Sequence, residues 1–183
     1  MSANPPLLRT FKRSRSLALS KWHMGTLTTN LAETKDTGGS FCLAEATLVP
    51  GNEPPPHVHS HEDELFYALD GKFDVYVGNE AFEMQDGDCI FLPRFKPHAL
   101  IVRSALLRAL VLFTPAGIEE AFRSMSTPVQ NLNLFSRALA YSAVDSKDTT
   151  ERLDKHGIRI LSPSEVASQL PLYPQPLPPR TSL

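Results

Sequence analysis

Residues 51–71 read GNEPPPHVHSHEDELFYALDG and residues 87–98 read GDCIFLPRFKPH, and together they hold four of the chain's six histidines. In an extended strand, residues i and i+2 share a face about 6.6 Å apart, so His57 and His59 point one way and Val58 the other. Glu64 is out of phase with them on an unbroken strand. The polar segment Ser60, His61, Glu62, Asp63 therefore reads as a turn, after which Glu64 opens a second strand facing the same interior. Pro54, Pro55 and Pro56 stiffen the approach to His57. Pro93 and Pro97 hold the loop that delivers His98.

Three imidazoles and one carboxylate form a donor set for a borderline divalent cation. The expectation is one divalent transition metal (Fe, Ni, Mn, Co, Cu or Zn) held by His57, His59, Glu64 and His98. Four protein ligands on an octahedral ion leave two positions for substrate, which is a catalytic arrangement rather than a closed structural one. The residual positive charge of such a site favours an anionic oxygen ligand and lowers its pKa. Among the other polar residues, His61, Glu62 and Asp63 read as solvated turn residues, with His61 the one substitute ligand. His156 reads as a cation at a helix C-terminus. His23 carries no signal.

Outward from this stretch the pattern is β. Segments 25–31, 40–49, 65–69, 72–77, 89–92, 98–102 and 106–113 alternate or are apolar on both faces, and Gly-containing turns at 38–39, 70–71, 78–79 and 86–87 separate them. Many short strands with closely spaced turns and no intervening helices specify an all-β sandwich or barrel. After Pro115 the texture changes. Segments 118–125 and 148–156 read as short helices, the second with Asp148 as N-cap. Segment 158–161 reads as an added edge strand. Ser162 to Glu165 is a capping box with proline at the first helical position. The expected organisation is an irregular leader over 1–24, a barrel over 25–115, a helical extension over 116–170 and a Pro-rich tail over 171–183.

The chain of 183 residues is long enough for one domain with tails, and its net charge of −2 argues against electrostatic binding of nucleic acid. The charge is uneven: five basic residues (Arg9, Lys12, Arg13, Arg15, Lys21) precede the first acid, Glu33, leaving −7 for the remainder. Without interleaved aromatics this reads as a solvated leader or exposed edge strand. No apolar run reaches membrane-spanning length and no signal-type apolar region follows the start, so a cytoplasmic protein with no membrane partner is expected. Cys42 and Cys89, in apolar segments without C-x-x-C spacing, read as reduced core thiols.

The two histidine segments resemble the motifs of the cupin superfamily. The first motif, G-x5-H-x-H-x3,4-E-x6-G, is matched at every defined position from Gly51 to Gly71. The second, G-x5-P-x-G-x2-H-x3-N, is matched by Gly87, Pro93 and His98, with Phe95 and Val102 where a glycine and an asparagine are usual. Phe95 implies a loop that avoids a glycine-only conformation, its ring either lining the cavity mouth or packing beneath it. The resemblance implies a single jelly-roll β-barrel with short C-terminal helices. Within the superfamily the chain is similar to small flavonol (quercetin) dioxygenase-like proteins, through 61–71 and through Thr114, Pro115, Ala116, Gly117 followed by a helix. That likeness implies a metal-dependent oxygenase, with Glu64 both ligand and catalytic base and O2 as co-substrate. The alternatives are an isomerase or polyketide cyclase using the metal as Lewis acid, or a non-catalytic module binding a small ligand. A homodimer is expected, because Leu65, Tyr67 and Leu69 give one strand an apolar second face.

Overall fold

The computed structural model describes residues 8–132 and 147–174. A 3-10 turn at Leu17–Leu19 leads into β1 (Ser20–His23), β2 (Thr26–Ala32), α1 (Thr34–Thr37), β3 (Cys42–Leu48), β4 (His57–His59), β5 (Asp63–Asp70) and β6 (Phe73–Val77). Then follow β7 (Glu80–Met84), β8 (Cys89–Leu92), β9 (His98–Val102), β10 (Leu107–Thr114), α2 (Ile118–Ser124), β11 (Ser126–Pro128), α3 (Lys147–Lys155), β12 (Ile158–Ile160) and α4 (Pro163–Gln169). The strands form two antiparallel sheets, ordered β11-β1-β2-β3-β10-β5-β8 and β12-β4-β9-β6-β7. This is an all-β, jelly-roll-like fold with a few short helices; the strand pattern anticipates the all-β class and the resemblance the jelly roll.

Side-chain alternation explains the layering. Along β10, Leu107, Ala109, Val111 and Phe113 are buried, while the residues between them are not. On its neighbour β5, Glu64, Phe66 and Ala68 point inward. From the other sheet Phe73, Val75 and Val77 of β6 meet them, with Leu100 and Val102 of β9. Each such side chain removes apolar surface from water, about 1.5–3 kcal/mol for a Val, Leu or Phe, and together they hold the sheets face to face. Gly71 closes the β5–β6 hairpin with φ 104°, and a Cβ there would lie 2.2 Å from the Leu106 carbonyl oxygen. Only glycine fits that approach.

Several expectations are corrected. The leader is not irregular throughout: β1 lies within it and pairs with β2 and β11. Nor is it merely solvated, because Arg13 pairs with Asp36 and Arg15 lies 3.7 Å from Glu45. Cys42 is buried as expected, but Cys89 is exposed on the edge strand β8 rather than in the core. Asp148 is inside α3, not its cap, and pairs with Arg152 at 3.0 Å. β7 and β11 have no counterpart in the sequence reading; β7 is largely exposed, so its apolar alternation is weak. Ser162 does form a capping box with Glu165, its hydroxyl accepting from the Glu165 N–H. Most of the Pro-rich tail lies outside the described residues. Among the described residues no helix is long and apolar enough to cross a membrane.

Candidate metal centre

The two sheets deliver the four expected donors to one point. His57 and His59 occupy β4, which pairs with β9 so that His57 faces His98. Glu64 comes from β5 of the opposite sheet, flanked by Phe113 and Leu92. All four are buried, and a ligand atom from each lies within 4.8 Å of the others.

The proton positions follow from the backbone. His57 Nδ1 lies 2.9 Å from the Pro55 carbonyl and His98 Nδ1 lies 3.1 Å from the Lys96 carbonyl. A carbonyl only accepts, so each Nδ1 carries the proton and each Nε2 a lone pair. The 3.2 Å contact between the Nε2 atoms of His57 and His98 is therefore two facing lone pairs, not a hydrogen bond. His59 Nε2 is 3.1 Å from His57 Nε2, and Glu64 Oε2 is 3.2 Å from His98 Nε2 and 3.6 Å from His59 Nε2. Burial first, then the neighbouring His98 and His59, hold the His57 imidazole well below its ordinary pKa range. Neutral imidazoles are the form that binds a metal.

A divalent cation fits this geometry. Donors about 2.1 Å from an ion are about 3.0 Å apart at right angles and about 3.4 Å apart in a tetrahedron. The observed edges of 3.1, 3.2 and 3.2 Å fall within that range and the fourth, 3.6 Å, lies just beyond it. Glu64 Oε2 is buried and finds no hydrogen-bond partner among the described residues. A buried carboxylate oxygen without a donor is costly unless a cation completes it.

Glu62 corrects the turn reading. It is only 5% exposed, and its Oε2 lies 3.6 Å from His59 Nδ1. Neither atom has a hydrogen-bond partner among the described residues, and the carboxylate faces His59 from behind, where an orienting carboxylate stands in a metal site. The parity of the turn, E-D-E after H-x-H-x-H, gave no way to choose which acid turned inward. Asp63 is not solvated either: Arg94 donates to it through its backbone N–H at 2.8 Å and its side chain at 3.1 and 2.8 Å. That side-chain pairing lowers the Asp63 pKa to about 2. His61 is exposed, as expected for the turn.

Phe95 departs from expectation in both respects. Its φ is 64°, in the left-handed region favoured by the glycine it replaces, and its ring is 68% exposed, neither lining the cavity nor packing beneath it. Its backbone N–H donates to the His59 carbonyl at 2.7 Å, tying the loop before His98 to the strand carrying His59.

The centre opens onto a cavity of about 120 Å³ lined chiefly by apolar side chains, including Phe66, Val75, Leu100, Val111 and Phe113. One further lining residue, His23, carries no signal in the sequence; β1 places it beside Phe122 of α2 with ring centroids 4.4 Å apart. Desolvation lowers its pKa to about 4.

Residues 44–119 match the Cupin_2 family, described as a cupin domain. An uncharacterized protein of Methanocaldococcus jannaschii is 36% identical over 58 residues, 32% of this chain and 46% of the relative. One of Aquifex aeolicus is 33% identical over 61 residues, 33% of this chain and 50% of the relative. This chain thus spans about half the length of the curated relatives it matches. Among solved structures, KdgF from Halomonas sp. is similar with 21% identity and a TM-score of 0.47, covering 52% of this chain and 85% of that chain. The nucleoside dehydratase Pac13, from Streptomyces, gives 14% identity and a TM-score of 0.49 over 69% of this chain and 98% of that chain. Residues 44–119 of this chain, which hold the His57, His59, Glu64 and His98 cluster, are thus similar to a cupin domain.

Proposed function

We propose that the protein is a metal-dependent oxygenase acting on a small enolisable or aromatic substrate, with His57, His59, Glu64 and His98 as the metal ligands. The observation that carries this reading is the meeting of four buried donors on the wall of a largely apolar cavity. Bound there, the metal supplies Lewis acidity that favours the anionic form of a substrate hydroxyl and a site at which O2 reacts. Glu64, a ligand in this reading, is also its candidate base for that hydroxyl's proton. The apolar lining disfavours water and confines polar contacts to a few groups on the wall.

Cavity size narrows the substrate. A void of about 150 Å³ holds benzene, and this one measures about 120 Å³. That suits a single ring or a short diketone better than a three-ring flavonol. The test is elemental analysis of protein purified without added metal or a His-tag, followed by oxygen consumption with catechols and short diketones. Stoichiometric metal with substrate-dependent oxygen uptake is expected. Equal turnover under nitrogen would assign an isomerase or cyclase instead, and unchanged ligand in air would assign a binding module.

A further inference from the structure

His23 is outside the metal cluster yet shares its cavity. It is 5% exposed and lines the same space as His59 and Glu64. Its ring stacks toward Phe122 at 4.4 Å, Phe122 toward Phe113 at 6.0 Å, and Phe113 toward His59 at 5.7 Å. Three ring steps thus connect the two polar sites.

The two nitrogens of His23 differ. Nδ1 lies 3.4 Å from Ser126 Oγ. The Ser126 hydroxyl donates to the Phe122 carbonyl at 2.6 Å, so toward His23 it presents a lone pair. The Phe122 carbonyl also accepts from the imidazole. The Ser126 oxygen beside Nδ1 acts as an acceptor, which places the proton on Nδ1 and a lone pair on Nε2. Nε2 is buried and has no partner among the described residues. Other polar groups on the wall are already used. Glu119 accepts from the Thr34 N–H at 2.6 Å and the Gly117 N–H at 3.0 Å. Asn30 donates to Glu33 at 3.3 Å. The Cys42 thiol stays protonated, its pKa pushed up to about 12 by burial and by Glu119.

We propose that His23 is a second polar anchor in the cavity, its Nε2 accepting a hydrogen bond from a hydroxyl or N–H on the bound molecule. This deepens the metal-dependent reading above. The natural ligand is then bifunctional, with an acidic oxygen for the metal, an apolar middle against Phe113 and Phe122, and a donor group at the other end. A buried acceptor left open costs folding stability and is retained where a ligand completes it.

The test compares phenol with toluene, near-equal in size and differing in one hydroxyl, on the full-length chain with and without metal. Calorimetry is run on wild type, His23→Phe and His23→Gln. In the metal-stripped wild type, phenol is expected to bind about tenfold tighter relative to toluene than in His23→Phe, the effect of one buried hydrogen bond. His23→Gln keeps a side-chain acceptor and is expected to retain part of the preference. Equal preference in wild type and both variants, or no phenol binding to wild type at all, overturns the proposal. Catechol is titrated in parallel: metal-dependent catechol binding bears on the metal–substrate reading alone, so either idea can fail while the other stands.

Discussion

Acidification should reveal His23 as a buried neutral base. Its ring is 5% exposed, and desolvation lowers its pKa from 6.5 to about 4. Above pH 6.5 the group is unprotonated in both folded and unfolded chains, and its contribution does not vary. Below that value the unfolded chain takes up a proton that the folded chain refuses, so stability falls until the folded pKa near 4 is reached, then levels off. Each pKa unit is worth about 1.4 kcal/mol, so the window represents about 3 kcal/mol. That is a large part of the roughly 5–15 kcal/mol that holds a domain together. Urea unfolding of metal-free wild type and His23→Phe, measured across this range, isolates the term, because every other titrating group is common to both. Wild type should lose about 3 kcal/mol relative to the variant on going from pH 7 to pH 4. Parallel curves would refute the argument, showing that the imidazole titrates in the folded protein as freely as in the unfolded chain.

His59→Ala should lose most bound metal by elemental analysis while circular dichroism keeps its β spectrum; an unfolded variant would mean the ion is structural. Glu62→Gln should weaken metal binding about 10–100-fold in a competition assay, as loss of a ligand-orienting carboxylate does, and unchanged affinity would remove Glu62 from the site. Gly71→Ala should destabilise by about 2–4 kcal/mol in thermal unfolding, because its Cβ would meet the Leu106 carbonyl at 2.2 Å; a change below measurement error would refute that contact. Sedimentation at micromolar concentration is expected to show a dimer, since Tyr67 and Phe91 are 40% and 57% exposed on one sheet face beside Leu65; a monomer would argue against pairing through it.

The donor set was legible because strand parity and turn placement constrain where His57, His59 and Glu64 point, and no helical packing was needed to align them. The register of β10 was legible for the same reason, its alternation being strict. What escaped depends on distant partners. His23 sits in a short polar strand, and its burial comes from β2, β11 and Phe122, whose arrival nothing near residue 23 announces. Glu62 and Asp63 are adjacent acids with opposite fates, decided by Arg94 and by the ring of His59. Phe95 adopts a left-handed backbone against its own preference, held by a hydrogen bond to His59 that local propensity could not foresee.

The donors that would grip an ion all fall between positions 57 and 98, whereas the wall opposite the apolar lining borrows from β1 and α2, on either side of that interval. The strand bearing His23 is held by its pairing with β2 and β11, and the segment before it is tied down by Arg13 to Asp36 and Arg15 to Glu45, none of which is a donor. On the proposed reading of His23, substitutions in that flanking strand change which molecule is admitted while leaving the four donors in place.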